Sequence, residues 1–491
     1  MTALWAHKNF PKEKITIIES DQIGILGAGE GTVPAVLDFF KSLEIELGEL
    51  IAKTRGSLKL GIDFENWNGD GKRYYHSFLS KKLSIPENFS NNLFLYEINT
   101  NDSIQSVNDY LTASKYCEES KVPFYKTEDS YDFDPDTGIA IHFDAHKIAS
   151  FLREKAEERG VIRVEGISDQ IILDSNGNVS QIKLTNGSVV DCDFVFDCSG
   201  FHRKIIGEVY NTKWVSYSDY LPMKKAIPYF PKQKEEVIPY TRSIAMKYGW
   251  QWQIPLMDRF GAGYVFDSDF ITPDQAKDEL DQWVGHEVES PRVIEFNAGR
   301  YNDTWVKNCI AIGLSTGFIE PLEATAIWTA TSSLELLTNY VPYILNAEEK
   351  MKAVYNERVA NGNENTLAFI YFHYLTKRTD TEFWRGFREN TKTPKVIESL
   401  LEEIECCPID NQLLSEINSA SITMFEDNSW VQVGFGLDYF NKSMYRQRCD
   451  YYEISKHMTP QLKVIENVIA NRVQNSFSHR EFLNLLEKKC V

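Results

Sequence analysis

Short apolar runs that read as buried strands alternate along the chain with longer stretches in which apolar residues recur at helical spacing, and the alternation predicts an α/β fold. Leu4 to Phe10 reads as the end of a helix, Pro11 to Glu13 as a turn, and Lys14 to Glu19 (KITIIE) as a strand ending in an acid. Ala35 to Lys53 predicts one amphipathic helix. His142 to Ala145 (HFDA) opens another that runs to about Arg159, with Asp144 as its cap. Segments near Ile162 to Val164, Gln170 to Leu173, Ser180 to Leu184 and Ser188 to Val190, punctuated by Asn176-Gly177 and Asn186-Gly187, predict hairpins and a small antiparallel layer. Phe194 to Phe196 and Asn308 to Ile312 (NCIAI) have buried-strand character, and Val215 to Phe296 is β-rich. From Leu334 onward the pattern turns helical, through Phe369 to His373, Thr381 to Arg388, Val396 to Glu405 and Leu462 to Val473. Two parts follow, 1–330 and 331–491, with a β-rich layer at about 60–130 and 215–296 interleaved into the first.

Length and composition narrow this picture. The 491 residues suffice for two or three domains, and 43% apolar with 13% aromatic content can fill a sizeable core. The net charge of −19, from 71 acidic and 52 basic residues, disfavours nucleic acid and anionic membrane surfaces as partners. The start lacks the apolar core of a signal peptide, and no run of about 18 apolar residues occurs, so a soluble, cytoplasmic protein is expected. Eight cysteines form no C-x-x-C pair, and Cys406 and Cys407 are adjacent, so free thiols are expected and no metal site.

The stretch with most chemistry is Gly313 to Trp328, GLSTGFIEPLEATAIW. A strand, a glycine turn and a helix start follow one another, and backbone N–H groups at such a turn make an anion site. Pro321 suits a first helical turn and leaves Glu323 at the mouth of the helix. Taken alone, Glu323 is as well explained by complementing the helix dipole. Two further glycine-bearing turns are GAGEGTVP, Gly27 to Pro34, and DCSGF, Asp197 to Phe201.

The pattern G-x-x-x-G-F-x-x-P-L-E-x-T in that stretch resembles the flavin-dependent halogenases of the tryptophan-halogenase type. Two separate signatures agree: WQWQIP, Trp250 to Pro255, is similar to their W-x-W-x-I-P motif, and GSLK, Gly56 to Lys59, followed by Phe64, Asn66 and Trp67, resembles the segment carrying their essential lysine. The resemblance implies a Rossmann-like FAD-binding domain of the flavin monooxygenase superfamily, an added β-layer and a mainly helical C-terminal substrate module. It implies flavin contacts at Gly27, Gly29, Glu30, Thr32, Gly200, Gly313, Gly317 and Pro321, and a ribose contact at Glu19. It places the first strand and the G-x-G-x-x-G loop just upstream of Met1, about 15 to 20 residues that this chain is expected to lack. In YYHSF, Tyr74 to Phe78, the ring-sandwiching positions of the substrate pocket fall on His76 and Phe78, with Trp430 as a further aromatic.

The chemistry so implied makes hypohalous acid from FADH2, oxygen and chloride, bromide or iodide, and relays it through Lys59 to an aromatic, phenolic or indolic substrate. Halide would meet the backbone at Thr325 and Ala326, and Glu323 would stabilise developing positive charge or take a proton. A lysine hidden from water has its charged form disfavoured, which favours a nucleophilic amine. Trp250 and Trp252, at alternate strand positions, share a face and would wall other substrates off the flavin. The chain departs from the family's pattern at Gly31, where alanine is usual, and at Ala324 and Ala326 in E-A-T-A, where E-S-T-G is usual; a roomier halide site is expected. No second nucleotide fingerprint is present, so a separate flavin reductase is the expected partner. The competing readings are a flavin-dependent aromatic hydroxylase and a non-catalytic protein on a degenerate flavin fold.

Overall fold

The computed structural model describes residues 1–490 apart from 26, 28, 79–96, 98–99, 101–106, 129, 136, 232–235, 290–291, 405–408, 410–413 and 415–423. Glu405, Cys406, Cys407 and part of the layer expected at 60–130 lie outside the described residues. Helix α1 (Thr2–Asn9) leads into strand β1 (Thr16–Glu19), as the apolar pattern predicts, and a two-residue strand β2 (Glu30–Gly31) follows. The single helix expected over Ala35 to Lys53 is instead two, α2 (Pro34–Ser42) and α3 (Leu47–Thr54). The break falls where Glu44 takes a left-handed backbone with φ 58°, which ends the first helix although the apolar spacing continues.

Strands β3 (Ser57–Lys59), β4 (Gly61–Glu65) and β5 (Arg73–Ser77) come next, and β6 (Ala140–Phe143) lies between β2 and β3 in a three-stranded sheet. Asp144 caps α4 (Ala145–Glu158) as expected, its carboxylate accepting from the backbone N–H of His146 and Lys147. Strand β7 (Ile162–Glu165) departs from the expected antiparallel layer: it pairs parallel with β1, Thr16 opposite Ile162 and Glu19 opposite Glu165. The helical crossover through α4 reverses the chain, so the next strand runs the same way as the first. The antiparallel layer consists of β8 (Ser168–Leu173), β9 (Val179–Leu184) and β10 (Val189–Asp191), turned at the two Asn-Gly pairs.

After β11 (Val195–Asp197) the chain enters the main sheet through β12 (Lys225–Tyr229), β13 (Thr241–Ala245), β14 (Gly249–Pro255), β15 (Phe260–Phe266) and β16 (Ile294–Glu295). The seven strands run in the order β16-β12-β15-β14-β13-β4-β5, with β13 and β4 parallel. Strand β17 (Cys309–Ala311) pairs parallel with β11, which brings the two glycine-bearing turns that follow these strands to the same end. Helices α5 (Thr325–Thr338), α6 (Glu349–His373), α7 (Glu382–Asn390) and α8 (Asp427–Gly436) belong to the helical C-terminal part. The last nine residues of α6 are all buried, and one core cluster joins Leu367 to Phe372 among them to Ile62, Phe64, Trp67 and Trp250 of the main sheet and its flank. The C-terminus also returns to the N-terminal part: Ser476–Ser478 pairs with Lys121–Lys126, and the Leu58 N–H donates to His479 Nε2 at 2.9 Å. Cys117, Cys192, Cys198, Cys309 and Cys449 are free thiols. Among the described residues no helix is long and apolar enough to cross a membrane.

Candidate active site

Lys59 ends β3, whose partner β6 also carries β2, so the lysine is delivered to the strap of residues 30–34. Its side chain is fully buried. Nζ donates to the Thr32 carbonyl oxygen at 3.0 Å and lies 5.3 Å from the Phe78 ring centroid. Burial pushes the amine down to about 8, against the pull of Glu323, which favours its charged form. Thr32 is itself fixed: its N–H donates to Ile141 O at 2.9 Å, and its hydroxyl both donates to that oxygen and accepts from Ile141 N–H. Thr32, expected at the flavin, also provides the carbonyl that seats the lysine. A Cβ added at Gly31 would stand 3.4 Å from Lys59 Nζ and 3.5 Å from Ala324 Cβ. Two of the three departures from the family pattern therefore lie side by side, Gly31 against both Ala324 and the lysine.

Glu323 is buried, but not as the mouth of a helix. Pro321 has φ −68° while Glu323 and Ala324 are left-handed, at φ 64° and 57°, and α5 begins only at Thr325. Two consecutive non-glycine residues in that region store backbone strain, of the kind that collects at functional sites. The kink sends the carboxylate inward, where Oε1 lies 2.8 Å from His76 Nδ1 on β5 and 3.0 Å from His373 Nε2 at the end of α6. Burial alone pushes this acid up; the two imidazoles, His76 foremost, outweigh it and hold the carboxyl well below the usual range. The dipole-complementing role that an isolated Glu would have is thus replaced by a pinned, ionised acid.

Three residues earlier, Glu320 is also fully buried, with opposite electrostatics. Tyr374 donates its hydroxyl to Oε1 at 2.8 Å, Trp250 Nε1–H donates to the Tyr374 oxygen at 3.1 Å, and among the described residues Oε2 has no hydrogen-bond partner. Burial pushes this acid up to about 8. Trp250 and Trp252 lie 6.2 Å apart on one face of β14; Trp250 also faces Trp67, at 6.4 Å, whereas Trp252 packs over Gly263.

The expected substrate aromatics are brought near one another in part. His76 lies 5.7 Å from Phe369 and 6.4 Å from Phe425, and Phe425 stacks on Phe369 at 3.8 Å. Trp430 reaches His76 only through Phe369, which it meets edge-on at 5.0 Å. Phe78 stands on the Lys59 side of this group.

The glycine turns expected to hold flavin are stitched together. Asp197 Oδ1 accepts from Ser199 N–H and Oγ–H and Oδ2 from the Ile205 and Ile206 N–H, while Gly200 N–H donates to Ser315 Oγ at 3.0 Å. Gly200 has φ 67° and open space where a side chain would begin, a cradle that suits a flat cofactor. Gly313, Gly317, Thr325 and Ala326 line one small pocket together with Leu314 and Phe318, so the expected flavin and halide residues share a wall. Glu30 packs against Gly27 across the strap from Gly29, and burial pushes its carboxyl up to about 7. Glu19 is paired with Arg153 and Arg163 at 2.6 and 2.7 Å. Among the described residues no cluster of His, Cys, Asp and Glu could hold a metal ion.

Sequence reasoning did not single out His373, Glu320 or Tyr374. A signal for His373 was present: an imidazole closing the apolar run LAFIYFH must find a partner when buried.

Comparison with known proteins gives the family. A family model described as tryptophan halogenase matches residues 1–450. Tryptophan 7-halogenase RebH of Lentzea aerocolonigenes is 33% identical over 396 residues, covering 76% of this chain and 74% of the relative. Tryptophan 6-halogenase SttH of Streptomyces toxytricini is 30% identical over 427 residues, 82% of this chain and 81% of its own; its crystal structure superposes with a TM-score of 0.88 over 98% of this chain and 96% of that one. BrvH, a flavin-dependent halogenase from Brevundimonas sp. BAL3, has a TM-score of 0.83 at 28% identity, covering 99% of this chain and 96% of its own. The chain belongs to the tryptophan-halogenase family of flavin-dependent halogenases, and it is an oxidoreductase of that class.

Proposed function

We propose that the protein takes FADH2 from a separate flavin reductase and uses oxygen and a halide to halogenate an electron-rich aromatic ring, phenolic or indolic. The relatives named for tryptophan support the indolic choice. The observation that carries the reading is one buried group: an amine with its charged form disfavoured, an ionised acid held by two imidazoles, and aromatic rings around both. Bound FADH2 would supply, from oxygen, the oxidising power that converts halide to hypohalous acid. Gly27, Gly29, Glu30, Thr32, Gly200, Gly313, Gly317 and Pro321 would hold the flavin, Glu19 its ribose, and the backbone at Thr325 and Ala326 the halide.

Lys59 would receive the hypohalous acid by hydrogen bonding or by forming a haloamine with loss of water. Attack by the aromatic ring then breaks the N–halogen bond and transfers the halogen, and the ring proton passes by way of Glu323 to the nitrogen, which returns as the amine. The burial of Lys59 and Glu323 would keep water from that reactive species. His76, Phe78 and Trp430 would flank the substrate ring, with Trp250 and Trp252 closing the flavin side.

The test is the mass of products from a panel of phenols and indoles supplied with a flavin reductase and chloride, bromide or iodide in turn. A product in which one hydrogen is replaced by the supplied halogen is expected. Products that gain one oxygen whatever the halide would overturn the reading in favour of an aromatic hydroxylase. Failure to bind flavin would favour a non-catalytic protein.

A further inference from the structure

Counting protons in the Glu323 cluster gives a result that the acid's position alone does not. His373 Nδ1 faces the Phe369 carbonyl oxygen at 2.8 Å, and a carbonyl only accepts, so Nδ1 carries a proton. Its other nitrogen, Nε2, lies 3.0 Å from Glu323 Oε1. Two bare lone pairs do not sit at that distance in a dry interior, so a second proton lies between them. The same Oε1 is also met by His76 Nδ1 at 2.8 Å. An ionised oxygen accepts from both rings, whereas a hydroxyl oxygen donating to His373 would be a poor acceptor for His76. We infer that His373 carries protons on both ring nitrogens in the resting enzyme and is the counter-cation that positions Glu323 and satisfies its charge. The inference rests on the placement of Glu323 in the active site and not on halogenation itself.

The surroundings agree. His373 is completely buried and closes α6, where a cation complements the carbonyl end of the helix. The rings of Phe369, Phe64 and Trp67 stand 4.8, 5.0 and 6.2 Å away and offer π faces or edges rather than water. The ionisable groups facing the pair from the neighbouring elements are His76 and Tyr74 on β5 and Lys59 on β3; Glu320 and Tyr374 are bonded to each other next to it.

The consequence falls on Lys59. With Glu323 balanced by a histidine cation, the lysine need not stay charged to neutralise the acid, and it is free to act as an amine. With a neutral His373, the carboxylate would hold Lys59 in its ammonium form. His373 is therefore a positioning residue that acts on the lysine through the acid.

The experiment is nitrogen-15 NMR of the full-length enzyme labelled in histidine and lysine, at neutral pH and without substrate. One ring with both nitrogens protonated is expected, lost in His373→Gln. In Glu323→Gln the side-chain amide can donate to Nε2, and the ring is expected to show one bare nitrogen. The Lys59 titration should shift upward in His373→Gln, an effect that a merely structural role would not produce. If His373→Gln does not fold, the change between wild type and Glu323→Gln makes the assignment. A bare nitrogen on His373 in the wild type, or an unmoved ring in Glu323→Gln, overturns the inference. An enzyme with the doubly protonated ring but no halogenated product would sink the proposed function and leave this inference standing.

Discussion

Glu320 and Glu323 are separated in the chain by Pro321 and Leu322, and both lie out of reach of water, yet they sit in opposite charge states. Glu320 meets one tyrosine hydroxyl and has an oxygen without a partner among the described residues, so burial wins and pushes the acid up to about 8. Glu323 meets two imidazoles on one oxygen, and they overcome the same burial. The lesson is that burial does not decide the state of an interior acid; the charge available to its partners does. The tryptophan-lined side of the turn is built from neutral groups, and the lysine side from charged ones.

The largest expected effect of breaking this contrast is on the charged side. Lys59→Met should lower halogenated product by about 10²- to 10³-fold, read by chromatography with mass detection. Glu323→Gln keeps the shape but removes the charge and should cost about 10²-fold in the same assay. The lysine also predicts a pH dependence with a definite sign. Its reactive form is the free amine, so the rate of the amine-dependent step should rise toward alkaline pH and level off above about 8. Below that the slope approaches tenfold per pH unit, and the limb should vanish in Lys59→Met.

On the neutral side the effects are smaller. Glu320→Gln replaces an uncharged acid by an uncharged amide, so its unfolding free energy should fall by no more than about 1 kcal/mol in denaturant titration. Gly31→Ala should be smaller still in stability, within about 1 kcal/mol. Its methyl would stand beside Lys59 Nζ, and the iodide-to-chloride product ratio should fall if that space serves the larger halogens.

Much of the fold was legible because its elements are local and periodic. The Asp144 cap, the strands at Ile17, Phe196 and Ile310, and the helical C-terminal part follow from spacing and turn residues. Failures came where the backbone leaves the pattern or the partner is remote. Glu44 splits a helix whose apolar spacing runs on, and the Ile162 strand pairs with one far earlier in the chain. In the site, Lys59 and Glu323 were singled out from motifs that are local in the sequence, and the structure buries both side chains. His373 offered only a histidine closing an apolar run, in need of some partner; which partner stayed hidden, because it lies 50 positions away. The state of Glu320 was equally hidden, since it depends on Tyr374, 54 positions on.

The central claim is that an oxidised halogen reaches the aromatic ring only by way of the Lys59 amine. The measurement that tests it most directly is halogenated product formed per reduced flavin oxidised, in the wild type and in Lys59→Met, with bromide and a reactive indole. The account predicts a substantial yield for the wild type and a yield near zero for the variant, with reduced flavin consumed at an unchanged rate. An equal yield from both proteins would contradict it.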